Sequence, residues 1–342
     1  MQLSDIDYQL PIKLIAQTPI EPRDSARLLV DQGAQLPLDQ HVHDLCDFLM
    51  PYDVIVLNHT RVLPARLRAR RSTGGAVEIL LLNQINNDSC AWEAMIKPGG
   101  KLHDGEILSV NQSEMSVEVG ERTIHGDTFA IKLLGSNVLA ELLRVGEVPL
   151  PPYITETLQD SERYQTVFSH DQRSAAAPTA GLHFTHELLQ RIRDLGVRIL
   201  EVELVVGLDT FKPISEDDPL KHLIHSEAYS VSQEVLTICV EARASGGRIV
   251  AVGTTATRAL ESAATTGLLS GNTTLYITPG YQWKLVDVMM TNFHMPKTTL
   301  LLMIESFIGK RWRSLYQHAM DKKYRMLSFG DAMLLHRHTD TV

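Results

Sequence analysis

Two unbroken aliphatic runs constrain this chain most. Val54-Ile55-Val56-Leu57 and Ile249-Val250-Ala251-Val252 contain no polar residue. Neither can offer one apolar and one wet face, so each reads as a strand buried on both sides, the condition of a parallel sheet covered by helices. Each run ends in polar or small residues, Asn58-His59-Thr60-Arg61 in one case and Gly253-Thr254-Thr255 in the other. Open α/β sheets hold their ligands at such strand ends.

Between the two runs the texture changes. Short runs at 67–71, 76–82, 91–96, 106–110, 115–119 and 128–134 are separated mostly by Gly, Asn, Asp or Ser. Strands at this spacing without helices predict a small β barrel or sandwich. A helix is expected over 137–145, and Pro149, Pro151 and Pro152 form a stiff connector. The reading is therefore a discontinuous α/β domain, 1–61 plus 151–342, with an all-β module inserted at 62–150. In the α/β part, strands are expected at 25–30, 197–206 and 275–278. Helices are expected at 41–50, 185–195, around Val235 to Val240, at 256–264, 299–308 and 312–322. Thr185 is an N-cap and Gly196 a C′ stop for the 185–195 helix.

A chain of 342 residues exceeds one small core. Apolar residues make up 44% and charged ones 21%, the balance of an ordinary globular enzyme. No apolar run approaches the ~18 residues of a membrane span, and no secretory signal pattern appears. The three cysteines stand far apart and form no C-x-x-C pair, so neither a disulfide framework nor a cysteine zinc site is expected. The reading is a cytoplasmic protein. A net charge of −9 argues against general nucleic-acid affinity. Two basic groups stand against that balance: Arg61, Arg66, Arg68, Arg70 and Arg71, then Lys310, Arg311 and Arg313 with Lys322, Lys323 and Arg325. Each is either a solvated face or a grip on phosphates.

Four stretches carry chemistry. Ala175-Ala176-Ala177-Pro178-Thr179-Ala180-Gly181-Leu182-His183-Phe184-Thr185 runs from small residues through a turn to an imidazole and a ring before a helix, where free N–H groups favour polar ligand atoms. Its alternative is a tight turn with a core Phe. Gly253-Thr254-Thr255 opens a helix at a strand end, a place for a carboxylate, a ribose or a base edge, or else a simple cap. On that helix Arg258 and Glu261 are spaced for a surface ion pair. His222, His225, Ser226 and Glu227 form a polar cluster suited to proton transfer rather than to a metal, for want of further ligands. Thr291-Asn292-Phe293-His294-Met295-Pro296 sets an amide and an imidazole about a ring; its alternative is a surface loop with one buried Phe. Dinucleotide, P-loop, nucleophile-elbow and zinc-protease signatures are all absent from the sequence.

Taken in order, the motifs resemble one family, the S-adenosylmethionine:tRNA ribosyltransferase-isomerase of queuosine biosynthesis. The matching stretches are Leu14-Ile15-Ala16-Gln17 with Pro22-Arg23, Thr60-Arg61-Val62 with Pro64-Ala65-Arg66-Leu67, and Pro149-Leu150-Pro151-Pro152-Tyr153-Ile154. They continue through Ala176 to Phe184, His225-Ser226-Glu227, Val252-Gly253-Thr254-Thr255, Leu260-Glu261-Ser262 and Pro279-Gly280-Tyr281. They end with Val286-Asp287, Thr291-Asn292-Phe293-His294, Tyr324-Arg325 and Gly330-Asp331-Ala332-Met333.

The resemblance implies a barrel-like α/β large domain with an inserted β barrel, and S-adenosylmethionine used as a ribosyl-donating substrate without a metal. The acceptor would be 7-aminomethyl-7-deazaguanine in a tRNA anticodon, the product epoxyqueuosine, and the leaving molecules adenine and methionine. A monomer acting on tRNA away from membranes is expected. Candidates for proton transfer are His183, His225, Glu227 and His294. Phe184, Tyr281 and Phe293 are candidates for stacking. Thr60, Arg61, Pro178, Thr179, Ala180, Gly181, Gly253, Thr254, Thr255, Arg258 and Asn292 are candidates for contacting substrate, and Asp287 or Asp331 for holding a ligand ammonium. The chain departs from the family pattern at His59, at Val205 and Asp209, and at Thr298. Two alternatives fit the same motifs: a binding relative without catalysis, and another S-adenosylmethionine-dependent tRNA-modifying transferase.

Overall fold

The structure, a computed structural model, describes residues 1–86, 88–100, 102–123, 128–207, 213–224 and 226–338. The chain separates into two compact units, one of 1–61, 151–171 and 177–342, the other of 62–150 and 172–176.

The first unit opens with β1 (Arg27–Val30), β2 (Leu38–His41) and β3 (Val54–Asn58). The short strands β4 (Thr60–Val62) and β11 (Asp171–Ser174) belong to neither large sheet. The second unit contributes β5 (Arg66–Arg71), β6 (Ala76–Gln84), β7 (Ala91–Lys97), β8 (Ile107–Val110), β9 (Ser116–Arg122), β10 (Phe129–Leu134) and helix α1 (Val138–Val145). Then come α2 (His186–Asp194), β12 (Arg198–Leu204), β13 (Glu227–Ser230), α3 (Gln233–Ala244), β14 (Ile249–Val252), α4 (Gly253–Thr266) and β15 (Ser270–Thr273). The chain closes with β16 (Val288–Asn292), α5 (Thr299–Ile308), α6 (Trp312–Asp321) and β17 (Ala332–His336).

Nine strands of the first unit form one mixed sheet in the order β15-β13-β12-β3-β14-β16-β17-β1-β2. The four at its centre, β12, β3, β14 and β16, are mutually parallel. Every residue of β3, β14 and β16 is buried, as the unbroken apolar runs 54–57 and 249–252 require of β3 and β14. Because these four run the same way, Leu204, Asn58, Val252 and Asn292 all lie at one edge of the sheet. Thr185 caps α2 by accepting from the Leu188 N–H at 3.0 Å, and Gly196 beyond it has φ +79°, the left-handed stop a glycine supplies.

The second unit is a closed barrel, β10-β7-β6-β5-β8-β9. Its strands alternate, so Leu67, Ile79, Ala94, Leu108, Val117 and Ile131 fill the inside while their neighbours face water. That alternation explains the Arg66-x-Arg68-x-Arg70 spacing as the outer face of β5. The face is not bare cation. Arg68 pairs with Glu78 at 2.6 Å and Glu147 at 3.2 Å, and Arg71 with Glu106 at 2.6 Å. In the first unit Arg61 pairs with Glu162. In the other basic group Arg311 is held by Asp31 at 2.5 Å. Most of these guanidinium groups already hold carboxylates.

Two local expectations also change. Residues 42–48 form a 3-10 helix rather than an α-helix. The strand expected at 275–278 lies instead at Ser270–Thr273. Strands β13, β16 and β17 carry no sequence expectation of their own. Among the described residues no helix is long and apolar enough to cross a membrane.

Candidate active site

A cleft of about 590 Å³, counting its open mouth, lies at the carboxyl edge of the parallel strands. Three stretches far apart in the chain meet in it: Ala177 to Ala180, Gly253 to Thr255, and Thr291 to Met295. Tyr153, Val206, Leu327 and Ser328 complete the part that matters here.

The first wall follows from the turn after Pro178. Residues Thr179–His183 make a 3-10 helix whose residues Ala180 to His183 are buried, and only its beginning faces the cleft. Gly181 is turned away, because a Cβ there would come within 2.8 Å of the Phe168 ring and 2.9 Å of Thr166. Phe184 is fully buried in the core, edge-on to Phe168. The sequence reading of Gly181 and Phe184 as ligand contacts is corrected accordingly; tight packing, not ligand access, demands a glycine and a ring there.

The second wall is the start of α4. Gly253 has φ +88°, which lets the chain leave β14 straight into the helix. No side chain caps this helix at Val252, so its first N–H groups are left for whatever enters the cleft. Thr254 and Thr255 line the cleft rather than capping, and Thr255 Oγ1 is buried with no hydrogen-bond partner.

The third wall is the end of β16, which the sequence alternative took for a surface loop. Thr291, Asn292, Phe293 and His294 are all buried. The Asn292 amide nitrogen donates to the Leu327 carbonyl at 3.3 Å and the Asp331 carbonyl at 3.4 Å. Two carbonyls can only be met by the NH₂ end, which fixes the amide. The same nitrogen lies 3.2 Å from His183 Nε2, so that ring atom carries a lone pair. Asn292 Oδ1 is left buried and unpartnered. Leu327 has φ +69°, a conformation that costs a non-glycine residue energy and concentrates at functional sites. Its carbonyl holds Asn292.

His183 is pushed down to about 4 by burial and by the Arg325 guanidinium, against a backbone hydrogen bond at Arg23. His294 is pushed down to about 3 by burial alone. Both are neutral imidazoles at pH 7. His294 is clamped by its backbone, its N–H donating to Tyr316 Oη at 2.9 Å and its carbonyl accepting from Tyr8 Oη at 2.5 Å. Its Nε2 lies 3.0 Å from Thr291 Oγ1. Because both histidines have folded values below the ordinary 6.5, the unfolded chain takes up protons first as pH falls. Stability should be fully present above about pH 6.5 and drop towards pH 4, by up to about 1.4 kcal/mol per pH unit for each histidine. Denaturation midpoints at pH 7 and pH 5 measure this. A His183→Gln, His294→Gln variant should lose part of the drop; an unchanged drop would contradict the account.

Behind α4 lies a buried ion pair. Arg258 Nη1 donates to Glu227 Oε2 at 2.5 Å, with both side chains below one-tenth exposed. Burial lowers Arg258 against the opposing pull of Glu227. Glu227 also accepts from the Gly207 N–H at 3.0 Å, next to Val206 in the cleft wall. Arg258 therefore does not make the surface pair with Glu261. Glu261 is fully buried and accepts from the N–H groups of Lys284, Leu285 and Val286, each at 2.9 Å.

Other sequence candidates stand elsewhere. Tyr281 Oη donates to Glu261 at 2.9 Å, further along α4. Asp287 sits at the opposite end of β14 and β16, held by Arg243 at 2.6 Å and Arg337 at 3.0 Å. Asp331 accepts from the backbone N–H groups of Arg27 and Arg325 at 2.9 and 2.7 Å. Neither carboxylate is left to meet a ligand ammonium. Thr60 is buried with its hydroxyl donating to the Leu204 carbonyl at 3.3 Å, and Arg61 is spent on Glu162; neither lines the cleft. His225 and residues 208–211, including Asp209, lie outside the described residues. Sequence reasoning missed Tyr153 and Ser328, whose hydroxyls meet at 2.7 Å. The Tyr ends a proline connector and the Ser follows an apolar pair, and neither signals a site.

The fold and site define a class: a mixed α/β unit with a closed six-stranded barrel as its second unit, and a hydroxyl- and amide-lined cleft at the carboxyl ends of parallel strands. The family model for queuosine biosynthesis proteins matches residues 3–335, and the chain belongs to that family. It is similar to the crystal structure of an S-adenosylmethionine tRNA ribosyltransferase from Thermotoga maritima. The identity is 33% and the TM-score 0.55, over 96% of this chain and 99% of the other.

Proposed function

We propose that this protein transfers the ribosyl moiety of S-adenosylmethionine to 7-aminomethyl-7-deazaguanine at the tRNA wobble position and isomerises it to epoxyqueuosine, releasing adenine and methionine. The observation that carries the reading is that Thr255 and Asn292, both lining the cleft, keep buried oxygens, Oγ1 and Oδ1, without hydrogen-bond partners, beside the start of α4, which no side chain caps. Buried polar atoms without partners are costly, and a nucleoside supplies the donors that relieve them. Likeness along nearly the whole chain to the Thermotoga maritima S-adenosylmethionine tRNA ribosyltransferase supports the choice of donor and acceptor.

In this reading the α4 N-terminus with Gly253, Thr254 and Thr255 receives ribose hydroxyls or the methionine carboxylate. Asn292 accepts from a nucleobase N–H, and Phe293 with Pro178, Thr179 and Ala180 forms the walls. The donor's sulfonium acidifies the neighbouring ribose carbon, and a base must take that proton. His294 is favoured over His183 for this step. Among the described residues no hydrogen bond engages His294 Nδ1, whereas His183 Nε2 is spent on Asn292. His183 is then a positioning residue. Glu227 is spent on Arg258 and Gly207 and supports the wall.

Incubation with S-adenosylmethionine and tRNA carrying the aminomethyl base, followed by chromatography for adenine, tests the reading. Adenine release that falls at least ~100-fold in His294→Ala is expected, the scale of lost acid–base catalysis. No adenine from the wild-type protein would overturn it.

A further inference from the structure

Among the described residues two groups of side chains could hold a metal ion, His41 with His43 and Asp44, and His59 with His170 and Asp171, and only the second has a buried ligand atom without a hydrogen-bond partner. His59, in the link between β3 and β4, stacks on His170, with ring centroids 4.2 Å apart and planes within 7°. The His170 backbone N–H donates to the His59 carbonyl at 3.2 Å, which holds the two segments together. Asp171 faces both rings: His59 Nδ1 lies 3.6 Å from one carboxylate oxygen and His170 Nδ1 3.5 Å from the other. These distances are too long for good hydrogen bonds. His59 Nδ1 is buried and has no hydrogen-bond partner. The ligand atoms of His59, His170 and Asp171 lie within 4.8 Å of one another.

Glu201 decides the chemistry. Its carboxylate lies 3.2 Å from His170 Nε2, so that nitrogen carries the proton and donates it. Nδ1 of a neutral His170 then turns a lone pair towards the Asp171 carboxylate. The Nδ1 atoms of the two imidazoles and the Asp171 carboxylate lie close together with no good hydrogen bond among them. A divalent cation would engage all three ligand atoms at once. An imidazole whose far N–H is held by a carboxylate is also how metal-binding histidines are commonly oriented.

We propose that His59, His170 and Asp171 form a binding site for a divalent cation of the zinc class, with Glu201 as the positioning residue for His170. Two nitrogens and one carboxylate oxygen suit zinc, with water in the fourth place. The parallel rings must rotate to point both lone pairs at one ion. His170 is about half exposed and has room to turn; His59 is 13% exposed and is the fixed ligand. The ion would tie together two segments far apart in sequence, beside Asn58 and Thr60, whose side chains hold the Leu204 carbonyl. Sequence spacing gives no hint of such a site, since its ligands come from opposite sides of the barrel segment.

The test is isothermal titration of the full chain with Zn²⁺ after chelator treatment, together with visible absorption on loading with Co²⁺. Saturable binding of one ion per chain is expected, weakened at least tenfold in His170→Gln and in Asp171→Asn. Both positions are exposed, and unchanged far-ultraviolet circular dichroism should accompany the loss. Glu201→Gln should weaken binding about 10–100-fold, the usual cost of losing such a partner. The Co²⁺ absorption should disappear in His170→Gln. Absence of saturable binding, or affinity unchanged in both His170→Gln and Asp171→Asn, would overturn the site. Unchanged affinity in Glu201→Gln would overturn the role given to Glu201.

Discussion

Arg258→Met should lower the free energy of unfolding by about 3–5 kcal/mol, the cost of stranding one member of a buried ion pair. The Arg258–Glu227 pair is almost wholly withdrawn from water, so the surviving carboxylate would have neither solvent nor its main counter-charge. The guanidinium also donates to the Thr273 carbonyl at 3.1 Å, tying α4 to β15, and that bond would go too. Because Glu227 holds the Gly207 N–H, loosening it should also disturb the cleft wall at Val206. The double variant Glu227→Leu, Arg258→Met should recover much of the loss, since two well-packed apolar groups leave no buried charge. Denaturant midpoints of the single and double variants measure this. A double variant no more stable than Arg258→Met would contradict the account.

Asn292→Ala should lower turnover about 10–100-fold, equivalent to about 1.4–2.7 kcal/mol of lost transition-state stabilisation. Two things disappear at once. The cleft loses the acceptor Oδ1, and the carbonyls of Leu327 and Asp331 and the ring of His183 lose their shared donor. Asn292→Asp separates them: it keeps an acceptor but faces oxygen with oxygen at Leu327 and Asp331. It should therefore be as inactive as the alanine variant and less stable. Steady-state kinetics with S-adenosylmethionine and tRNA, read beside melting temperatures, distinguish the cases. Asn292→Ala within threefold of the parent would remove this residue from the site.

The barrel was legible because its signal is local. Alternating runs such as Leu67 and Ala69 inward against Arg68 and Arg70 outward need no distant partner to be recognised, and Gly or Asn marks their ends. The buried strands β3 and β14 were legible for the opposite reason, since four consecutive aliphatic residues have few other uses. What failed was settled by tertiary contacts. Ser-Gly-Asn-Thr has no strand propensity, yet β15 forms because β13 offers it an edge. Arg258 finds Glu227 across the fold rather than Glu261 one turn on, because both faces of α4 are buried. Asp287 and Asp331 sit in motifs that look ligand-like, but their carboxylates are spent on arginines and backbone donors. The cleft itself was half legible: its glycine, threonines and asparagine stood out, whereas Tyr153 and Ser328 joined them only through folding.

The central claim is that this cleft splits S-adenosylmethionine at its sugar and passes the sugar on. Mass spectrometry of the tRNA after incubation with donor labelled either in the ribose carbons or in the methyl group tests it directly. The account predicts that the ribose label appears in the tRNA while the methyl label stays with free methionine. Methyl label in the tRNA, or a tRNA of unchanged mass, would contradict it.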